Sequence, residues 1–369
     1  MRVAVLGLGN AGYALHLPAL ARTPDAEVVG ACDVDAERRQ RAAEGWRVPV
    51  FDDFSAMLER TQPDVVIVAT PPATHATYCL RSLAAGAHVI CEKPLASSVA
   101  EAEAIIASAA AAGRQVAVNH EFREMPIFRA IRDQVGSPEV GELRFAQAWQ
   151  LMDLPPWRES GWRAAMLPWT LYEAGIHLVD FLMALFGEKP VAVSATTSSC
   201  GAWEGRSDAI ALATLEFSRE RLAQVVQNRL CRGETQYFEV RAEGTRASLR
   251  ASFGGRARLT VGLHRSTTPH CRFEYGRAGL AWRETGHRRT LLARNPADPA
   301  ACATGILLNK TFAAFRDGSR PPASAEDGRD VLQVVAACYR AAATGQRVAL
   351  ESGEGGRIAT WQMGTGSKA

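Results

Sequence analysis

The sequence predicts an α/β chain. An N-terminal Rossmann-type, doubly wound parallel sheet is followed by a C-terminal α+β domain with an antiparallel sheet. Three observations predict it. A short apolar strand, Arg2–Leu6, runs directly into Gly7-Leu8-Gly9-Asn10-Ala11-Gly12. Apolar runs then alternate with helical stretches as far as Asn119, the pattern of βαβ units. Beyond that point strand-like runs succeed one another without helices between them, as in antiparallel sheets.

The first strand, the glycines and a helical stretch to about Arg22 form G-x-G-x-x-G in the context that gives it meaning. Gly7 permits a tight turn, Gly9 lets a pyrophosphate approach the backbone, and Gly12 lets helix and strand pack closely. Phosphates would take the N–H groups at the helix start, so Gly7, Gly9, Asn10, Ala11 and Gly12 are candidate cofactor contacts. The second strand, Glu27–Asp33, ends in an acid about 20 residues past the glycines, as a ribose contact requires. A carboxylate at Asp33 accepts from a 2′-OH and repels a 2′-phosphate. NAD is therefore favoured over NADP, with Arg38 and Arg39 downstream arguing the other way. The buried strand Asp64–Thr70 stops at Pro71-Pro72. Thr70, Pro71 and His75 fall at the strand-end crevice, where His75 either caps the next helix or contacts the cofactor. A helix over 73–85 leads to the strand His88–Glu92.

That strand ends in Glu92-Lys93-Pro94. Only four lysines occur (93, 189, 310 and 368), against a much larger number of arginines. A partly buried Lys can release a proton where Arg cannot. Lys93 is either a strand-end ion pair with Glu92 or a chemical group facing the cleft beyond the sheet. A helix over 99–112 and the strand Gln115–Asn119 complete the first domain, with Glu92, Lys93 and Asn119 as further cofactor candidates.

The domains are expected at 1–120 and 121–352, with a Gly-rich tail at 353–369. In the second, helices are expected over 122–135, 168–186, 300–315 and 325–343. Strands are expected at 141–150, 192–197, 209–217, 222–230, 237–242, 247–251 and 259–263. The helix after Pro168 carries Glu173, His177 and Asp180 at i, i+4 and i+7, on one face. This is either an ordinary Glu–His helix face or a general base oriented by a carboxylate. Trp157, Trp162 and Trp169 offer either core packing or aromatic faces for ligand C–H groups. Arg158 and Arg163 suit an anionic group. Glu121, Glu124, Asp153 and Glu159, expected to cluster near the pocket entrance, suit a cationic ligand instead.

With 369 residues, 47% of them hydrophobic and 22% charged, the chain has ample core for about two domains. A net charge of +3 argues for neither nucleic acid nor a membrane as partner. The 8 cysteines form no C-x-x-C pair, so no metal site is expected. No apolar stretch reaches bilayer length. The N-terminus enters a strand at once, and a cytoplasmic location is expected.

Gly7-x-Gly9-x-x-Gly12, Asp33, Ala-Thr-Pro-Pro-x-x-His75, Glu92-Lys93-Pro94 and Ala174-Gly175-x-His177-x-x-Asp180 occur in order and spacing similar to the Gfo/Idh/MocA oxidoreductases. The resemblance covers nearly the whole chain. It implies that the second domain carries a large, mostly antiparallel open sheet through which homodimers or homotetramers form. It also implies NAD(P)-dependent oxidation of a secondary alcohol on a sugar or cyclitol, with Lys93 and His177 as the catalytic pair. The Lys-Pro bond is often cis in such proteins. On this reading Glu173 orients His177, while Trp157, Arg163, Tyr172 and Asp180 join Lys93 and His177 around the substrate. Two departures stand out. Glu173 replaces the family's usual Asp, and Met166-Leu-Pro-Trp169 replaces a glycine-rich turn, which reshapes the expected pocket. Two other functions share the fold: a non-catalytic NAD-binding regulator, and an enzyme that breaks glycosidic bonds through transient oxidation.

Overall fold

The first half of the chain builds a six-stranded parallel sheet. The computed structural model describes residues 1–155, 160–166, 169–201, 207–233, 236–253, 257–263, 269–275 and 279–350. Strands β1 (Arg2–Leu6), β2 (Glu27–Cys32), β3 (Val50–Phe51), β4 (Val65–Val68), β5 (His88–Cys91) and β6 (Val116–Val118) lie in the order 3-2-1-4-5-6. Every pairing is parallel. Parallel strands need crossovers, and these contain α1 (Leu17–Leu20), α2 (Ala36–Trp46), α3 (Phe54–Thr61), α4 (His75–Ala84) and α5 (Val99–Ala111). The strand order reverses between β1 and β4, which makes a crevice at their carboxyl ends.

Burial on both faces explains the continuous apolar strands: Val3, Val5, Val65 and Ile67 on one face, and Val66 and Val68 on the other, are fully buried. Each such side chain contributes about 1.5–3 kcal/mol. The cluster that includes Val3 and Val65 also takes Leu308, Phe312 and Phe315 from Pro299–Asp317, the eighth helix of the chain (α8). Thus Met1–Met125 and Ala297–Ala336 form one compact unit.

The second unit comprises Pro126–Pro296 and Ala337–Ser352. Its nine-stranded sheet contains β7 (Leu143–Leu151), β8 (Ala192–Ser198), β9 (Ile210–Glu216), β10 (Leu222–Asn228), β11 (Gln236–Gly244), β12 (Ser248–Phe253), β15 (Leu280–Thr285), β16 (Arg288–Arg294) and β17 (Val348–Ala349). The order is 16-15-12-11-7-10-9-8-17, antiparallel except where β7 meets β10. A separate hairpin pairs β13 (Ala257–Leu263) with β14 (Pro269–Tyr275). Alternation sets the covered face: Ala211, Ala213 and Leu215 are buried, while Leu212 between them is exposed. Helices α6 (Pro126–Arg132) and α7 (Ile176–Phe186) cover the buried face, where Phe128, Phe181 and Phe238 pack ring to ring. The last described helix is α9 (Ala325–Thr344).

Four local expectations are corrected. The helix over 122–135 is a 3₁₀ turn, Glu121–Arg123, followed by α6, because Pro126 lacks the N–H needed to continue a helix and starts a new one. The stretch after Gly12 begins as a π-helical turn, Gly12–His16. The helix after Pro168 likewise begins as a π turn, Thr170–Gly175, and becomes α-helical only at Ile176. Strands β14, β15 and β16 add to the runs expected, and the 353–369 tail lies outside the described residues.

Candidate active site

In the first unit, the glycine turn sits at the β1/β4 crevice. Gly7 has φ +92, and a Cβ there would lie 2.5 Å from the Ala69 carbonyl oxygen. Only glycine meets both demands. A Cβ on Gly12 would overlap the Gly7 carbonyl oxygen. Gly9 differs: the nearest atom to a Cβ there is Arg38 Nη1 at 3.9 Å. Its backbone therefore faces open space, and a dinucleotide pyrophosphate fits against it.

Asp33 stands at the end of β2, with Oδ2 accepting from Leu8 N at 2.7 Å and Oδ1 from Asp35 N at 2.9 Å. These bonds fix the carboxylate beside the turn. Arg38 Nη1 lies 3.6 Å from Asp33 Oδ2, and Arg39 donates to the Asp33 and Val34 carbonyls. Both arginines therefore have acceptors in the protein. Thr70 Oγ1 accepts from Thr74 Oγ1 at 2.8 Å, and Pro71 is exposed.

His75 is neither a side-chain cap nor open to a cofactor. It is fully buried, with Nδ1 2.7 Å from the Pro94 carbonyl oxygen and Nε2 2.8 Å from that of Thr70. It ties the end of β4 to the segment after β5, since both ring nitrogens face backbone carbonyls.

Glu92 also turns inward. His16 Nε2 is 2.7 Å from Glu92 Oε1, and Asn119 Nδ2 donates to the same oxygen at 2.8 Å. Burial alone would raise this carboxyl. The hydrogen bond and charge of His16, the charge of Lys93 and the Asn119 amide outweigh it and hold it at about 2. Glu92 is therefore ionised and engaged with His16 and Asn119. Lys93 is partly exposed one residue further on, its N–H 3.3 Å from Glu92 Oε2, and the Lys93–Pro94 bond is cis.

In the second unit, Asp208 organises the start of the π turn. Its Oδ1 accepts from Trp169 N and Thr170 N at 2.8 and 3.0 Å. Tyr339 donates its hydroxyl to Asp208 Oδ2 at 2.9 Å and accepts from Leu171 N at 2.9 Å. Burial, reinforced by the Asp208 charge, raises the Tyr339 phenol far above its ordinary range, so it stays a donor. Orphan N–H groups of the helix start are thereby satisfied. Arg229, fully buried, stacks with its Cζ 3.6 Å from the Trp169 ring centre and donates to the Leu154 and Asp208 carbonyls.

Glu173, His177, Asp180 and Tyr172 are all buried. His177 and Asp180 share a face of α7, but Glu173 belongs to the wider π turn, so the three do not form a simple α-helical row. Glu173 Oε1 accepts from Arg163 Nε at 3.1 Å, and Arg163 lies over Trp162 at 4.3 Å. Arg163 therefore meets a carboxylate of the protein. Trp157, Arg158 and Glu159 lie outside the described residues. Glu124 is buried and pairs with Lys310 at 2.7 Å, so it offers no free charge to an amino sugar.

His16, Asp208, Tyr339 and Arg229 were not singled out from sequence. Their partners lie 25 or more residues away in most cases, and no local spacing marks such pairs. Among the described residues, no group of three or more His, Cys, Asp or Glu is placed to hold a metal ion. No described helix is long and apolar enough to cross a membrane.

Comparison with known proteins follows this division. Residues 1–120 match the family model described as an oxidoreductase family with an NAD-binding Rossmann fold, and residues 128–250 match the GFO/IDH/MocA C-terminal domain. The chain is similar to D-apiose dehydrogenase of Paraburkholderia graminis, 28% identical over 91% of this chain and 86% of the relative. It is equally similar to D-glucoside 3-dehydrogenase of Escherichia coli K12, 28% identical over 95% and 97% of the two chains. An oxidoreductase from Agrobacterium radiobacter, solved with NAD+, L-tartaric acid and magnesium, shares the fold with a TM-score of 0.79 at 17% identity. That match covers 95% of this chain and 98% of the other.

Proposed function

Because the chain belongs to the Gfo/Idh/MocA oxidoreductases, an NAD-binding family of sugar dehydrogenases and reductases, we propose that it oxidises, or reversibly reduces, a secondary alcohol on a sugar, amino sugar, glycoside or cyclitol. Lys93 and His177 are its acid–base pair. The observation that carries this reading is the position of Lys93. It follows Glu92 at the carboxyl edge of an NAD-type sheet, where ligands of such sheets bind.

NAD supplies the hydride acceptor when bound at Gly9–Gly12 and Asp33. The chain's own groups do the rest. His177 takes the hydroxyl proton, and the Lys93 ammonium hydrogen-bonds the same oxygen as negative charge develops on it. Arg163 holds Glu173, so the orientation of His177 depends on a pair rather than on a lone carboxylate. The two dehydrogenases above motivate D-apiose and D-glucosides as first substrates. Association through the exposed sheet face, as a dimer or tetramer, is part of the proposal.

The test is a panel of D-apiose, alkyl and aryl D-glucosides, myo-inositol and amino sugars, with NADH formation as readout. NADH formed with at least one member, and faster with NAD than NADP, is the expected result. NAD binding with no turnover on any member points to a regulator. Aglycone release without NADH points to glycosidic cleavage through transient oxidation.

A further inference from the structure

We infer that Glu92 is the positioning residue of Lys93, and that His16 and Asn119 act through Glu92 rather than on substrate or dinucleotide. The inference deepens the proposed function, because Lys93 is the group served, but it stands on the first unit alone.

Three elements converge on one carboxylate. His16 comes from the π turn, Asn119 from the end of β6, and Glu92 from the end of β5. His16 and Asn119 are fully buried, and their 2.7 and 2.8 Å contacts converge on Oε1. Glu92 Oε2 faces the Lys93 backbone N–H at 3.3 Å. The carboxylate thus has a protein-facing oxygen and a lysine-facing oxygen. From the other side, His75 holds the Pro94 carbonyl. Residues 92–94 are consequently held by two buried imidazoles, His16 from the β1–β2 connection and His75 from the β4–β5 connection. The π turn matters here. Its i→i+5 bonding adds a residue to the turn that carries His16, and such turns recur at functional sites.

A buried anion needs partners. His16 and Asn119 provide donors, and Lys93 provides the counter-charge. The titratable or charged groups nearby are His16 from the π turn, Lys93 itself, His75 at the start of α4, and the thiols of Cys79 and Cys91. Burial keeps the Cys91 thiol neutral. The Lys93 charge is one of the groups that keep the Glu92 carboxylate ionised, and it acts there as the ammonium form. A lysine that hydrogen-bonds a developing alkoxide needs that form.

The experiment uses the full chain labelled with [ε-13C]lysine. Only four lysines occur, so four resonances titrate, and Lys93→Arg assigns one of them. In Glu92→Gln the Lys93 midpoint falls by about one unit or more, the size expected on loss of an adjacent opposite charge. His16→Ala moves it the same way by less, and His16→Gln, which still offers a donor, restores part of the shift. NAD affinity by calorimetry stays within about threefold in Glu92→Gln, or about 0.7 kcal/mol. An unmoved Lys93 midpoint overturns the inference. So does an NAD affinity weakened tenfold or more, which would make Glu92 a cofactor contact. Should Glu92→Gln fail to fold, the two His16 variants read the same midpoint. Failure of the proposed function would look different: Lys93→Met would keep turning over sugar, whatever the midpoint does.

Discussion

Under the proposed function, Asp33 sets the choice of nicotinamide cofactor by charge. Its carboxylate is fixed by two backbone N–H groups beside the glycine turn. Asp33→Ser should lower the NAD-over-NADP ratio of kcat/KM at least tenfold, about 1.4 kcal/mol. An unchanged ratio would remove Asp33 from cofactor selection. Glu92 sets an acid limit. Its folded carboxyl is held at about 2, below the ordinary value of 4.5. The stability it contributes is present above the ordinary value and is lost as pH falls towards 2. The fall in chemical-denaturation midpoint from pH 5 to pH 2.5 should therefore be smaller in Glu92→Gln than in the wild type. An equal or steeper fall would contradict the assignment. Gly7, Gly12, Asp33 and Lys93 were legible in the sequence because each lies at a fixed spacing within one strand–turn unit. The inward turn of Glu92 was not, since His16 lies 76 residues away. His75 followed the same logic: its carbonyl partners were hidden because backbone carbonyls carry no sequence signature.

At the scale of single elements, the π turn Thr170–Gly175 depends on Asp208 and Tyr339. Asp208→Ala strands the Trp169 and Thr170 N–H groups and the Tyr339 hydroxyl, at a cost of about 1–3 kcal/mol for each buried group left unsatisfied. A lowered denaturation midpoint, with Tyr339→Phe intermediate between variant and wild type, is the expected pattern. Equal stability of all three proteins would show that the cap is not needed. Strands and most helices could be read from period and apolar content. The π turns could not, because one added residue per turn barely alters a helical pattern. Pro126 did carry its signal, as a residue that starts a helix rather than continuing one. Strand β16 was obscured by arginine: the run Arg288–Arg294 is exposed or half-buried along its length, so it lacks a buried alternating face.

For the molecule as a whole, the exposed face of the nine-stranded sheet carries Leu212, Leu222 and Tyr237, each more than two-fifths exposed. Under the proposed association, light scattering should give a dimer or tetramer, and Leu212→Asp should shift it towards monomer. A monomeric wild type would end that part of the proposal. The strand order of the first sheet was implied by alternation and the glycine turn, since doubly wound sheets admit few orders. The return of α8 to the first unit was not, because an amphipathic helix does not name the surface it covers.

The proposed chemistry depends most on Lys93 and His177 as its acid–base pair. The direct measurement is kcat on the best sugar of the panel for Lys93→Met and His177→Ala, with NAD affinity measured on the same samples. Both variants should lose at least about 100-fold in kcat, the scale of a lost general acid or base, while His177→Ala binds NAD as the wild type does. Near-normal turnover in either variant would contradict the mechanism.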